Sequence, residues 1–287
     1  MTELTIRPMS RLELDMGVAW AAAEGWNPGL HDADTFHAAD PGGFLLGLLG
    51  SEPVGMVSAV RYGQGFGFIG FYIVRPAFRG QGHGMALWRA AMARLTGRTV
   101  GLDGVVGQQD NYRQSGFEPA HHNMRYQGVA APLPTVALPA AAPTVQSLAA
   151  WSVDDVCSYD RAFFPDERSE FVRHWLVQRG STALGVRGAD GEWAGYGVIR
   201  PCRSGYKVGP LLADNSALAA QLFDALVGCV PPGSSIQLDV PCTNPYAVAL
   251  AESRQMQPVF QTARMYAGPA PTLPLHRQYG ITTFELG

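Results

Sequence analysis

No stretch of the chain approaches the roughly 20 consecutive apolar residues that a membrane-crossing helix needs; runs such as Phe44-Leu45-Leu46 are short. The opening residues, Met1 to Pro8, show no basic segment followed by an apolar stretch of about 7–15 residues, so no secretory signal is expected and a cytoplasmic setting is. Charge is scarce, at 16% of residues, and Lys plus Arg total 21 against 24 Asp plus Glu. The net charge of -3 supplies no positive field for nucleic acid or anionic lipid, so neither is expected as a partner. Cysteine is confined to Cys157, Cys202, Cys229 and Cys242. These form no C-x-x-C pair and have no histidine at metal-ligand spacing, which reads as reduced packing residues. There is no H-E-x-x-H, and the adjacent His121 and His122 would point to opposite sides of an extended backbone. No metal is expected.

What is present is ample apolar material: 47% of 287 residues are hydrophobic, enough for two packed cores. Between Gly128 and Pro143 four prolines forbid a continuous helix and favour extended linker backbone. The expected organisation is therefore an N-terminal unit over 1–128, a Pro/Ala-rich linker over 129–144 and a second unit over 145–287. The two flanks look alike. A hairpin pattern, Leu46-Gly47-Leu48, a Gly50-to-Pro53 turn and Val54 to Arg61, recurs as Leu184-Gly185-Val186, a Gly188-to-Glu192 turn and Trp193 to Arg200. Val100-Gly101-Leu102-Asp103 recurs as Ile236-Gln237-Leu238-Asp239, and Met124 to Gly128 as Arg264 to Gly268. The same order at nearly constant offset indicates a duplicated unit. Each copy alternates helical and strand segments, so the fold class is α/β: a twisted mixed sheet flanked by helices, occurring twice.

The chemistry is concentrated after Phe66 to Val74, a β-branched and aromatic stretch that reads as a buried strand. Arg79-Gly80-Gln81-Gly82-His83-Gly84 follows, and then a helical pattern with apolar residues at 87, 88, 91, 92 and 95. Strand, glycine loop and helix in this order offer unpaired N–H groups and a partial positive charge to a phosphate or pyrophosphate. A P-loop would need Gly-Lys-Ser/Thr, whereas Gly84 precedes Met85. A dinucleotide fingerprint would need its glycines directly after the strand and a small residue at Leu87; Asp103 stands at the distance of its ribose-binding acid, so an NAD-dependent oxidoreductase is kept as a lesser alternative.

Val74-Arg75-Pro76 followed by Arg79-x-x-Gly82-x-Gly84 resembles the acyl-CoA loop of the GNAT superfamily of N-acetyltransferases, and Tyr112-Arg113-Gln114-Ser115-Gly116-Phe117 resembles that family's Y-x-x-x-G-F element. The resemblance covers about residues 3 to 128, with an eroded copy from about 145 to 268. It implies acetyl-CoA as co-substrate, with the pyrophosphate held by the backbone of Gly80, Gln81, Gly82, His83, Gly84 and Met85, and with Arg79 adding charge. It further implies that the backbone of Tyr72, Ile73 and Val74 pairs with the pantetheine arm as another strand would, one N–H polarising the thioester carbonyl. Tyr112 would protonate the departing thiolate; the structural alternative is packing against Phe117. Many family members carry Asn and Ala where this chain has Val105 and Gln108, so Asn111 is a candidate replacement contact to CoA. Asp103 and Glu24 are candidate bases for the acceptor amine, although a water-relayed path would need neither.

The turn-rich segment Ala23 to Asp34 carries Trp26, Asn27 and Asp32 as candidate contacts to a small-molecule amine; alternatively Trp26 anchors the loop and Asp32 or Asp34 caps a helix. In the second copy Asp214 stands where pyrophosphate would sit and Tyr246 is out of register, so a second CoA site is not expected. That copy would wall the acceptor cleft, with Tyr159, Phe163, Phe164 or Tyr206 facing it or buried as core. The alternating tail from Tyr279 to Gly287 is expected to return as a strand. The function expected is acetyl transfer to an amine by direct attack. A CoA-binding sensor or scaffold without turnover is the alternative of a different class.

Overall fold

The computed structural model of the chain describes residues 3–131, 144–188 and 191–287. The first half runs β1 (Leu4–Pro8), α1 (Arg11–Ala23), α2 (Asp32–Ala39), β2 (Phe44–Leu49), β3 (Glu52–Tyr62), β4 (Phe66–Val74), α3 (His83–Arg94), β5 (Thr99–Val105), α4 (Gln109–Arg113) and β6 (Glu118–Val129). The second half repeats the order as β7 (Val145–Ser147), α5 (Val153–Asp160), α6 (Ser169–Leu176), β8 (Thr182–Arg187), β9 (Trp193–Pro201), β10 (Tyr206–Ala213), α7 (Ser216–Val227), β11 (Ser235–Pro241), α8 (Pro245–Ser253) and β12 (Gln257–Ala267), and adds β13 (Gln278–Gly280). None of the described helices is long and apolar enough to cross a membrane.

Local sequence accounts for these elements. Ser10 and Glu13 form a reciprocal capping box that starts α1. Helix α3 buries Leu87, Trp88 and Ala91 on the face that its spacing marked out, and Leu95 just beyond its end is buried too. Strand β4 is buried at five of its first six positions, as a near-continuous apolar run between two neighbours should be.

The described strands form one mixed sheet in the order β1-β2-β3-β4-β5-β12-β6-β11-β10-β9-β8-β7, with β13 beside β10. Its middle corrects the expected division of the chain. Strand β6 of the first half does not pair with β5; it lies between β12 and β11, while β12 of the second half fills the place beside β5. The halves therefore exchange their last long strands, and the units 1–128 and 145–287 do not close separate sheets. A buried ion pair bridges the exchanged strands. Arg125 on β6 lies directly across from Asp239 on β11 and binds both carboxylate oxygens at 2.6 and 2.8 Å, with both side chains buried. Leaving either charge in the core without the other would cost several kcal/mol. The expected linker lies mainly on 132–143, outside the described residues, as do Ala189 and Asp190 of the second hairpin turn.

Strands β4 and β5 pair in parallel only from Phe66/Thr99 to Ile69/Leu102. Beyond that point β4 bulges against β3, and Phe71 takes φ +45°, a conformation worth about 1–3 kcal/mol of strain in a non-glycine residue. The bulge turns β4 away from β5 and opens a V between them. The second half makes the same V, since β10 and β11 pair only from Tyr206/Ile236 to Val208/Leu238. There β13 enters and pairs with β10 at Leu211 and Leu212.

After Gly280 the chain remains buried through residues 281–287 but as turns, not the strand expected. It threads between the halves: Ile281 N donates to Asp239 O at 2.9 Å, and Tyr62 Oη donates to Leu286 O at 3.1 Å. A Cβ on Gly70 would strike the Glu285 carbonyl oxygen at 2.0 Å, so glycine at that position permits the passage.

Candidate active site

A cavity of about 610 Å³ occupies the V of the first half. Strand β4 contributes Ile69 to Val74, β5 and the turn after it contribute Leu102 to Val105 and Gln108, and α4 contributes Tyr112. Glu24 and Trp26 come from the segment after α1, Arg79 and Gly80 from the glycine loop, Phe260 and Thr262 from β12, and Phe284 and Glu285 from the threaded segment. From Gly70 to Val74 one edge of β4 has no strand partner among the described residues. It faces the cavity.

The loop is built for close approach. Gly80 and Gly82 take φ +76° and +84°, and a Cβ on either would meet nothing within 4 Å. Gly82 is the N-cap of α3 and offers it no side-chain hydrogen bond, so the first N–H groups of that helix are open to an anion. Arg79 donates from Nε to Val74 O at 2.8 Å and pairs with Glu24 through Nη2. Gln81, His83, Gly84 and Met85 lie along the loop and first helical turn, outside the cavity lining. Gly84 has its own reason: a Cβ there would stand 2.8 Å from the Tyr72 hydroxyl.

The second half closes the corresponding place. Asn215 caps α7 with its side chain, accepting from Leu218 N at 3.0 Å, and Asp214 accepts from Tyr159 Oη at 2.8 Å and also binds Arg277. Tyr159, Phe163, Phe164 and Tyr206 do not line the cavity; Phe163 and Phe164 are core.

Tyr112 rests on β5 at Gly104, where a Cβ would come within 2.4 Å of its ring, and beside Trp88 with ring centroids 5.5 Å apart. Packing and cavity exposure therefore coexist at this residue. Burial, aided by neighbouring Tyr72, pushes its hydroxyl up to about 12. Tyr112 thus keeps its proton across the physiological range.

Four candidates stand differently from expectation. Asp103 is held by Arg264 and by Asn123 Nδ2 at 2.8 Å, its side chain fully buried; it is a strut between the halves and is not free to serve as base or to bind a ribose. Asp32 is likewise buried, bound by Arg200 and by Gly29 N at 2.7 Å. Asn27, at φ +52°, spends its side chain on Ser204 and Gln237 of the second half. Neither Asp32 nor Asn27 reaches the cavity. Asn111 is exposed, donates to Gln108 Oε1 at 2.6 Å and lies outside the lining. Glu24 does line the cavity, tied to Arg79.

Phe260, Thr262, Phe284 and Glu285 line the cavity without having been expected from the sequence. They come from segments more than 140 residues away along the chain, and no local motif marks them.

The fold and cavity together define an acyltransferase architecture carried twice on one chain, and comparisons with known proteins agree. Residues 9–117 match the Acetyltransferase (GNAT) family and residues 156–280 match an Acetyltransferase (GNAT) domain. The holothin acyltransferase of Pseudoalteromonas sp. (strain SANK 73390) is 32% identical over 99% of this chain and 94% of that protein. A provisionally assigned acetyltransferase from Pyrococcus horikoshii superposes with TM-score 0.82 at 21% identity, covering 100% of this chain and 97% of that one. A tandem GNAT protein from the clavulanic acid biosynthesis pathway gives TM-score 0.66 at 18% identity, over 94% and 100%. The chain belongs to the GNAT acetyltransferase family, in its tandem form, and is an acyltransferase.

Proposed function

We propose that the chain transfers the acetyl group of acetyl-CoA to a primary amine of a small molecule by direct attack, and that acetyl-CoA is held by the first half alone. The observation that carries this reading is the contrast between the two V-shaped openings. The first has a free strand edge on β4 and an uncapped helix at Gly82, whereas the second is filled by β13 and capped by Asn215.

The residues suit the co-substrate. The loop from Gly80 to Met85 would hold the pyrophosphate, and its approach would draw Arg79 away from Glu24. The Gly70-to-Val74 edge would pair with the pantetheine arm, and a backbone N–H there would polarise the thioester carbonyl. Tyr112 lines the same cavity and would meet the leaving sulfur. A hydroxyl near 12 lies about 3–4 units above an ordinary thiol, so full proton transfer costs roughly 4–5 kcal/mol before the site fills. Its first role is therefore a hydrogen bond that strengthens as charge develops on sulfur. The four cysteines are free thiols and none lies in the first half, in keeping with direct attack and with the cytoplasmic setting expected from the sequence.

The test is thiol release from acetyl-CoA in the presence of a panel of primary amines. Amine-dependent release that falls in Tyr112→Phe supports the reading; acetyl-CoA binding with no release across the panel would overturn the primary-amine acceptor.

A further inference from the structure

Three acidic residues line the cavity, and two have carboxylates already committed to arginine: Asp103 to Arg264 and Glu24 to Arg79. The third, Glu285, has no arginine or lysine within ion-pairing distance among the described residues and instead accepts from the Thr283 hydroxyl at 2.6 Å. Thr283 also accepts from Glu285 N at 2.8 Å and Leu286 N at 3.2 Å, so a tight turn holds this carboxylate in place. Such fixed placement is what proton transfer in a transition state requires.

Cations surround it at longer range. Arg125 on β6, Arg200 on β9 and Lys207 on β10 all feel its charge. Arg125 and Arg200 are neutralised by Asp239 and Asp32, and Lys207 donates to Asn27 O at 3.2 Å.

The same wall has a flat apolar character. Phe284 and Phe260 lie with ring centroids 6.0 Å apart, and the Arg125 guanidinium sits 4.8 Å from the Phe284 ring. Trp26 comes from the first half. Beside them Thr262, 1% exposed, has an Oγ1 with no hydrogen-bond partner among the described residues. A buried unpaired hydroxyl costs about 1–3 kcal/mol, so the wall combines aromatic surface, one buried unpaired hydroxyl and one carboxylate held by its own turn.

We infer that Glu285 is the proton acceptor for the attacking nitrogen, and that the acceptor is a primary amine on an aromatic body packed against Trp26, Phe260 and Phe284. The inference rests on the acetyl-transfer reading above. In the step, the bound ammonium gives one proton to Glu285, the freed nitrogen lone pair forms the C–N bond to the thioester carbonyl carbon, and the C–S bond breaks. The sulfur leaves as thiolate hydrogen-bonded to the Tyr112 hydroxyl and takes up the second nitrogen proton through solvent. Solvent removes the proton from Glu285, so an ammonium and a thioester give an amide, a free thiol and one proton.

The test measures turnover of acetyl-CoA with 2-phenylethylamine and with tryptamine by the full chain and by Glu285→Gln, with melting temperatures alongside. The expected result is a kcat lower by about 30-fold or more at neutral pH with KM for acetyl-CoA unchanged, the deficit shrinking from about pH 7 to about pH 9 as solvent deprotonates the amine. Glu285→Asp, which keeps the charge but withdraws it by one methylene, should fall between the two. If Glu285 were only a counter-charge for Lys207, Glu285→Gln would melt earlier yet turn over like the parent at every pH, and that result would overturn the inference. Should Glu285→Gln fail to fold, parent-like kcat in Glu285→Asp would overturn it equally. A parent chain that binds acetyl-CoA but acetylates neither amine would overturn the acceptor class while leaving the acetyl-CoA reading intact, and absence of acetyl-CoA binding would remove both.

Discussion

Arg264 on β12 binds both carboxylate oxygens of Asp103 on β5, at 2.8 and 2.7 Å, directly across the strand pair. The contact repeats, with the halves interchanged, the pairing of Arg125 with Asp239. Each half thus supplies an aspartate from one strand and an arginine from the next, and each arginine finds the other half's aspartate. The cavity is assembled by the same exchange, because β12 brings Phe260 and Thr262 to it.

Asp103→Asn should act first on stability. It leaves the Arg264 guanidinium buried without its counter-charge, which typically costs about 3–5 kcal/mol. Urea unfolding should show that loss, and the remaining folded fraction should still bind acetyl-CoA. Undiminished stability with abolished turnover would instead make Asp103 a catalytic group.

Tyr112→Phe removes the hydroxyl and keeps the ring that packs on Gly104 and Trp88. We expect kcat to fall roughly 10- to 100-fold, with acetyl-CoA affinity and melting temperature nearly unchanged. Steady-state kinetics and a binding titration separate the two.

Gly82→Ala places a Cβ at φ +84° in the N-cap of α3. The left-handed conformation should cost about 1–2 kcal/mol, and the methyl group intrudes where the pyrophosphate would approach. Calorimetry should show acetyl-CoA bound at least about tenfold more weakly, an effect larger than the change in thermal stability alone would give.

Acid should weaken the seam through His121. Burial, with the nearby Arg264 adding to it, lowers this imidazole from 6.5 to about 3. The folded protein therefore holds it neutral where the unfolded chain would protonate it. Its stability contribution is complete above about pH 6.5 and is lost as pH falls towards 3, at up to about 1.4 kcal/mol per unit. Urea midpoints between about pH 7 and about pH 5 should fall in the parent, and the slope should flatten in His121→Gln.

Local chemistry was legible in the sequence and long-range assembly was not. The β4 strand, the Gly80-to-Gly84 loop and α3 are dictated by neighbours in the chain, and so is the duplicated order of elements. The strand exchange brings together charges more than 100 residues apart, Arg125 with Asp239 and Arg264 with Asp103, which no window reveals. The same holds for Asn27 and Asp32: in a loop they read as ligand groups, yet Ser204, Gln237 and Arg200 from the other half consume them. Residues 282–286 alternate like a strand, but Thr283 turns the segment instead and delivers Glu285 to the cavity.

The contrast between the two openings leaves room for one acyl-CoA site per chain, in the first half. Calorimetric titration of the full chain with acetyl-CoA, repeated on Gly82→Ala, tests it most directly. One equivalent should bind, and more weakly after the substitution. Two equivalents, or one that is indifferent to Gly82→Ala, would contradict it.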